Sequence, residues 1–400
     1  MLTSKRHALG WAAFFLFFVG FVLHSRQLYL LSVAVAVLWP LSYWLGRRKL
    51  TGLDAARIAP ASMQAGEMAD VDIVVKNPSS TRRLFVYASD TLPARAGMLP
   101  SPHPIPVLDA GGEQRFSYRL HTPLRGVYRL GPVCLHASDV LGLTTFTREV
   151  DAISEVVVYP MPLILPPLWP RVASGRQPRR AVRAPSEQGS DFFGIRQYVP
   201  GDDPRRIHWR TSARRDQLMT IQYAHEEALE GIIILDLFSK HHEGEGELST
   251  LEQGVTLAIT AARQAELRDG WAGLIAGGET DFSVLPDSRP GQYGRLQEAL
   301  ARVEPQQVDG WPDGVLEYLG PSPARRPVIV ISPRGGRGGI EMARTLLAHN
   351  QTVSWFALQT RGDDKSRFAA LLSSIGCQAR AVDCTGPLQP QFSAMRVAHG

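Results

Sequence analysis

Residues 231–240 read GIIILDLFSK. The apolar run Gly231-Ile232-Ile233-Ile234-Leu235, closed by Asp236 and Leu237, reads as a buried strand. Outward from it, strand and helix patterns alternate. Residues 250–268 carry an apolar stripe at Leu251, Val255, Ala258, Ile259 and Ala262, the spacing of an amphipathic helix. Further strands are predicted at 272–276, 327–332, 352–357 and 379–382, with helices at 292–303, 339–350 and 365–375. This order predicts a parallel sheet with covering helices. Gly335-Gly336-Arg337-Gly338-Gly339 follows a strand but lacks the Lys-Ser/Thr of a phosphate loop and the G-x-G-x-x-G spacing, so it reads as a strand-to-helix turn.

Just upstream, residues 189–227 read GSDFFGIRQYVPGDDPRRIHWRTSARRDQLMTIQYAHEE. Pro200-Gly201-Asp202-Asp203-Pro204 reads as a helix start, with Asp203 as cap and Pro204 in the first helical position. A continuous helix would place Arg206 and Arg210 on one face, with Trp209 one turn from Arg205. The segment is similar to the signature of the bacterial family known as domain of unknown function fifty-eight. Gly189, Asp191, Phe192, Gly194, Ile195, Arg196, Tyr198, Pro200, Gly201, Asp202, Asp203, Arg206, Ile207, His208, Trp209, Ser212, Ala213 and Arg214 stand at its positions. The segments RGVYRLGPV (125–133) and ASDVLGL (137–143) also resemble what precedes that signature.

Residues 229–400 resemble a von Willebrand factor type A domain. That resemblance implies a metal-ion-dependent adhesion site of pattern D-x-S-x-S at the end of the first strand. Here Asp236 is present, but Phe238 and Lys240 replace the two serines, and Ser332-Pro333 stands where a later acid is expected. A hard divalent ion needs several oxygen ligands, so the site at Asp236 reads as degenerate, with no metal or other cofactor. Asp236 is then free to pair with Lys240 or to cap the next element.

Residues 8–23 and 28–45 carry no charge and are largely apolar; their sixteen and eighteen residues would rise about 24 and 27 Å as helices. Lys5 and Arg6 precede them, Arg47, Arg48 and Lys49 follow, and Arg26 lies between. The excess of basic residues at both ends predicts two transmembrane helices with their flanks in the cytosol, in a bacterial inner membrane. Residues around 22–25 make a poor signal-peptide cleavage site, and a second apolar run follows at once. Cys134, Cys377 and Cys384 form no disulfide framework, which suits a reducing compartment.

Between these ends, residues 51–160 lose the helical period. Short alternating runs at 71–75, 84–87, 114–120, 127–130, 133–135 and 156–159 predict an all-β, sandwich-like domain. Arg125 and Asp139 are candidates for a structural ion pair. Residues 160–185 are rich in proline and carry Arg171, Arg176, Arg179, Arg180 and Arg183, the composition of a solvated linker or of a contact to anionic lipid. The expected domains are thus a hairpin (1–50), a β domain (51–160), an arginine-rich linker with the signature (161–228) and the α/β unit (229–400).

Net charge of +5 over 400 residues does not imply a nucleic-acid partner. Of 43 basic residues only 5 are lysines, leaving 38 arginines, mainly the mark of a GC-rich genome. Within the signature, His208 could act as a general base toward Ser212, oriented by Asp202 or Asp203. The same residues read better as a structural knot or docking face, with Asp191, Asp202 and Asp203 accepting from Arg196, Arg206 and Arg214. Acids among the arginines, and the membrane segment, argue against single-stranded nucleic acid. The sequence therefore points to a non-enzymatic membrane protein. Family resemblance implies work beside a MoxR-type AAA+ ATPase as adaptor or assembly factor. The alternatives are a hydrolase or transferase using His208 and Asp202, or a metal-dependent protein-binding module at Asp236.

Overall fold

The computed structural model describes residues 2–96, 101–170, 191–199, 203–224, 229–277, 280–285, 291–309, 326–360 and 365–393. The chain divides into two compact units, Met1–Met161 and Pro162–Gly400.

In the first unit, helices α1 (Leu2–Val22) and α2 (Arg26–Lys49) form a hairpin. Ser32 Oγ donates to the carbonyl of Ala13 at 2.8 Å, and Phe17 packs edge-on against Tyr29 with centroids 5.4 Å apart. Only α2 is long and apolar enough, among the described residues, to cross a membrane; the apolar part of α1, Gly10–Val22, is shorter. The sequence expectation of two spans is therefore narrowed to one helix that meets the length criterion.

Ten strands follow: β1 (Asp54–Ile58), β2 (Ser62–Gln64), β3 (Met68–Lys76), β4 (Arg83–Asp90), β5 (His103–Leu108), β6 (Glu113–His121), β7 (Gly126–Leu130), β8 (Val133–Ser138), β9 (Thr145–Val150) and β10 (Ser154–Tyr159). They form sheets of order β1-β3-β6, β2-β10-β7 and β5-β4-β8-β9. Ile73 and Val75 of the first sheet share a core with Val86, Ile105 and Leu135 of the third, so alternate residues face inward, as strand geometry requires. A buried ion pair that the sequence did not reveal ties this unit together. Arg57 Nε donates to Asp90 Oδ2 at 3.0 Å and Arg57 Nη1 to the carbonyl of Leu130 at 2.9 Å; the Tyr118 hydroxyl also donates to Asp90. The pair suggested at Arg125 and Asp139 does not describe Asp139. Its Oδ1 accepts from the backbone N–H of Leu143 at 2.6 Å and so closes the β8–β9 turn.

In the second unit, β11 (Asp191–Gln197) pairs antiparallel with β12 (Met219–Ala224), flanking helix α3 (Trp209–Arg215). Then come β13 (Glu230–Leu235), α4 (Thr250–Glu266), β14 (Trp271–Ile275), α5 (Gln292–Arg302), β15 (Pro327–Ser332), α6 (Gly336–Ala348), β16 (Thr352–Gln359), α7 (Ser366–Ser374), β17 (Gln378–Asp383) and α8 (Leu388–Ser393). The five strands β13–β17 form one parallel sheet of order β14-β13-β15-β16-β17. Val284 adds an antiparallel bridge to Leu274 outside β14. One face buries residues of α4, α5 and α8; the other buries residues of α6 and α7. Strands covered on both faces explain the unbroken apolar runs in their sequence.

The proline-rich stretch begins differently from the solvated linker its composition suggests. Residues 162–170 lie against α4. Leu168 and Trp169 belong to the core, and Trp169 Nε1 donates to the carbonyl of Ala261 at 2.9 Å. Gln264 Nε2 donates to the carbonyls of Leu165 and Pro166 at 3.1 and 3.0 Å, while its Oε1 accepts from Leu168 N at 2.9 Å. One glutamine thus replaces the sheet partners that prolines cannot supply. The arginine run 171–183 lies outside the described residues.

Candidate functional site

The signature is built on backbone bonds. Asp203 accepts from Arg205 N at 2.9 Å and caps a single 3-10 turn, Pro204–Arg206. The chain then leaves the helix: Ile207 is extended and bridges Thr220 at the start of β12. A second cap restarts it, with His208 Nδ1 accepting from Thr211 N at 3.2 Å ahead of α3. The predicted continuous helix is therefore broken at Ile207, because β12 claims the backbone there: His208 N donates to Met219 O at 2.8 Å. Arg206 and Arg210 consequently belong to different elements and do not share one helix face.

Ser212 is buried and wholly engaged. Its Oγ accepts from Met219 N at 2.9 Å and donates to the carbonyl of His208 at 3.1 Å. The imidazole of His208 does not receive the Ser212 proton, since Nδ1 is acting as a cap; the serine–histidine relay considered from the sequence is not assembled. The remaining candidates are placed as follows. Arg196, on β11, donates to the carbonyl of Gln197 at 3.0 Å. Arg206 ends the 3-10 turn and is half-buried, with its carbonyl accepting from Thr220 Oγ1 at 3.4 Å. Arg214 is exposed in the last turn of α3. Asp202 and the Asp191 side chain lie outside the described residues, as do Pro200 and Gly201. Trp209 opens α3 and is 66% exposed; Arg205, Arg210 and Arg215 of the same segment are exposed as well.

A second cluster sits where the order of the parallel sheet reverses, outside the carboxyl ends of β13 and β15. That crevice is where open α/β sheets place their ligands. Asp236, 2% exposed, accepts from Ser332 Oγ at 2.7 Å and from Phe238 N at 3.1 Å. His241 Nδ1 and Arg334 Nε stand 3.5 and 3.6 Å from its Oδ2. Arg334 reaches on to Asp309, donating from Nη2 at 2.6 Å. Burial alone would raise the carboxyl pKa; the neighbouring His241 ring, the bonds from Ser332 and Phe238 N and the Arg334 charge outweigh it and hold Asp236 below its ordinary value. Lys240 is not its partner, but lies 5.7 Å over the Phe238 ring. Among the described residues, no group of three or more His, Cys, Asp or Glu side chains is placed to hold a metal ion. The donors around Asp236 are cationic or neutral, an arrangement suited to a carboxylate and opposed to a divalent cation.

Behind it, burial lowers the pKa of His242 and keeps the ring neutral at pH 7. Its Nε2 lies 2.8 Å from the carbonyl of Asp236, and its Nδ1 lies 3.0 Å from Thr250 Oγ1. Because a carbonyl only accepts, the proton belongs on Nε2, and Nδ1 accepts from the threonine. None of His241, His242, Arg334 or Asp309 was marked by the sequence; they lie 5 to 98 residues from Asp236 and only the sheet unites them.

Residues 194–354 match the family model described as "Protein of unknown function DUF58". Over that stretch the chain is similar to the DUF58 family. The matched region begins in β11, contains α3 and the Asp236 cluster, and ends in β16. A relative from Bacillus subtilis (strain 168), "Uncharacterized protein YeaD", is 24% identical over 245 residues, 58% of this chain. The chain spans about half the length of that relative, 55%. Among solved structures, the SpRpn10 VWA domain is 14% identical with a TM-score of 0.31, covering 42% of this chain and 95% of its own. The CARDB domain of PF1109 from Pyrococcus furiosus is 16% identical with a TM-score of 0.20, covering 27% of this chain and 94% of its own.

Proposed function

We propose that this protein is a membrane-anchored, non-enzymatic adaptor or assembly factor that presents its signature helix to a MoxR-type AAA+ ATPase. The observation that carries the reading is the exposure of Trp209 on a short helix locked from below by Ser212 and His208. A large ring held in water among arginines, on a preorganised scaffold, is the composition of an interface hot spot. The groups best suited to chemistry are meanwhile occupied: His208 caps, Ser212 bonds backbone, and Asp236 is closed in by Ser332 and Arg334. The ATPase as partner comes from the family resemblance.

Helix α2 serves as the anchor, followed by Arg47, Arg48 and Lys49; α1 lies along it as a second span. The basic flanks fit a bacterial inner membrane with the β and α/β domains in the cytosol. The parallel sheet, with its antiparallel edge at Val284, fits a von Willebrand A-like unit whose adhesion site is degenerate. The Arg334 guanidinium, between Asp236 and Asp309, supplies there the positive charge that an ion would otherwise bring.

A pull-down with the intact, detergent-solubilised protein tests the reading, using wild type and Trp209→Ala, each checked for folding by limited proteolysis. Recovery of an AAA+ ATPase by wild type and its loss with folded Trp209→Ala is the expected result. Equal recovery by both would move docking off the signature, and no ATPase in either sample would sink the adaptor role.

A further inference from the structure

The β8–β9 hairpin runs along the last turns of α2, and its contacts advance in order. At its base, Arg148 Nη1 donates to the carbonyl of Leu50 at 2.7 Å. One step on, Lys49 Nζ donates to the carbonyl of Ser138 at 2.9 Å. Phe146 stacks edge-on with Tyr43 at 5.1 Å. Gly46 faces Asp139 and Phe146 so closely that a Cβ there would lie 2.6 Å from the Phe146 ring and 2.9 Å from Asp139 Cα. At the tip, Leu141 N donates to Ser42 Oγ at 3.2 Å. From base to tip the hairpin therefore tracks back along α2 from Leu50 to Ser42, about 12 Å at helical rise.

That direction leads into the apolar part of the helix. Yet the tip is not capped by polar residues: Val140 is 65% exposed and Leu141 42% exposed. Above them the charge is positive, with Arg47, Arg48 and Lys49 closing α2 and Arg83 Nη2 donating to the carbonyl of Thr51 at 3.0 Å. Apolar side chains below a basic collar match a bilayer interface, where the hydrocarbon ends and anionic head groups begin. We propose that Val140 and Leu141 insert into the bilayer that α2 enters, making the β8–β9 hairpin a second membrane contact that fixes the β domain to the lipid surface. The inference rests on the reading of α2 as a membrane anchor.

Spin labels in reconstituted vesicles of zwitterionic and anionic phospholipid test it with the full chain. In a Cys134→Ser background, Cys377 and Cys384 are buried and escape labelling. Single labels are introduced by Val140→Cys at the tip, Val37→Cys on the exposed side of α2 and Val107→Cys on β5, all at exposed positions. Collision with dissolved oxygen reports lipid, and collision with a water-soluble nickel chelate reports solvent. The expected result is oxygen-dominated relaxation at 140 and 37 and nickel-dominated relaxation at 107. A label at 140 that follows 107 while 37 stays in lipid would overturn the hairpin contact alone. A label at 37 that also meets nickel would remove the anchor and the hairpin contact with it.

Discussion

Asp236 and Ser332 close the sheet at its switch point: the serine hydroxyl donates to the buried carboxylate at 2.7 Å, joining the ends of β13 and β15. The carboxylate also collects Phe238 N, and His241 and Arg334 stand beside it, so it acts as a negative hub for three segments. Asp236→Ala is expected to leave His241 and Arg334 facing a void, destabilising the α/β unit by about 3 kcal/mol. Asp236→Asn, which keeps the Phe238 bond, is expected to lose less. Chemical denaturation of both variants, followed by Trp355 and Trp271 fluorescence, measures the difference.

The pH dependence has two components of the same sign. Asp236 has a lowered folded pKa, so its contribution is present above the unfolded value of about 3.9 and lost as pH falls through the folded value. His242 is likewise lowered: the unfolded chain takes up its proton first, near about pH 6.5, so stability falls as pH drops below that point toward the folded value. Stability is therefore expected to decline from neutral pH downward in two stages. His242→Gln is expected to flatten the upper stage and leave the lower one, as read from denaturant midpoints between pH 7.5 and 3.5.

Trp169 and Gly231 form a matched pair. The indole lies over the glycine so closely that a Cβ at Gly231 would strike the ring. Trp169→Ala is expected to destabilise the unit by about 3–5 kcal/mol through lost burial. Gly231→Ala is expected to destabilise wild type by about 1–3 kcal/mol by overpacking, but far less once Trp169 is gone. A double-mutant cycle on unfolding free energies checks this; additive penalties would show that the two do not compete for space.

In the first unit, the Arg57 and Asp90 side chains are both fully buried. Asp90→Ala strands a guanidinium that also holds the Leu130 carbonyl, and is expected to cost about 3–5 kcal/mol. Hydrogen exchange of the β1, β4 and β7 amides should accelerate together, since the pair bridges those strands. Acceleration limited to β4 would contradict that linkage.

Most strands were legible because their signals are local. β13, β15 and β16 are covered on both sides and so appear as continuous apolar runs, and the amphipathic stripe of α4 lies on one face. What sequence concealed was decided by distant partners. Residues 162–170 read as linker from their prolines, yet Gln264 and Ala261 of α4 satisfy their polar groups. The break at Ile207 is imposed by β12, whose pairing no helix propensity reveals. β5, with prolines at 104 and 106, was missed because proline weakens a strand pattern while an edge position tolerates it. Of the signature residues, the spacing of four allows a base–hydroxyl pair at His208 and Ser212 as an alternative to a structural knot; the structure brings them together through the His208 carbonyl instead of the ring.

Trp209→Ala is expected to leave stability within about 0.5 kcal/mol of wild type, because an exposed ring holds little of the fold. The Trp209 ring is proposed as an interface anchor, and a binding titration measures that role. Purified MoxR-type ATPase is added to the intact protein in lipid nanodiscs, as wild type and as Trp209→Ala, at matched folding. Saturable binding to wild type is expected, weakened at least about thirtyfold by the substitution, the effect of losing a hot-spot residue of about 2 kcal/mol. Equal affinity for both proteins would contradict the anchor role.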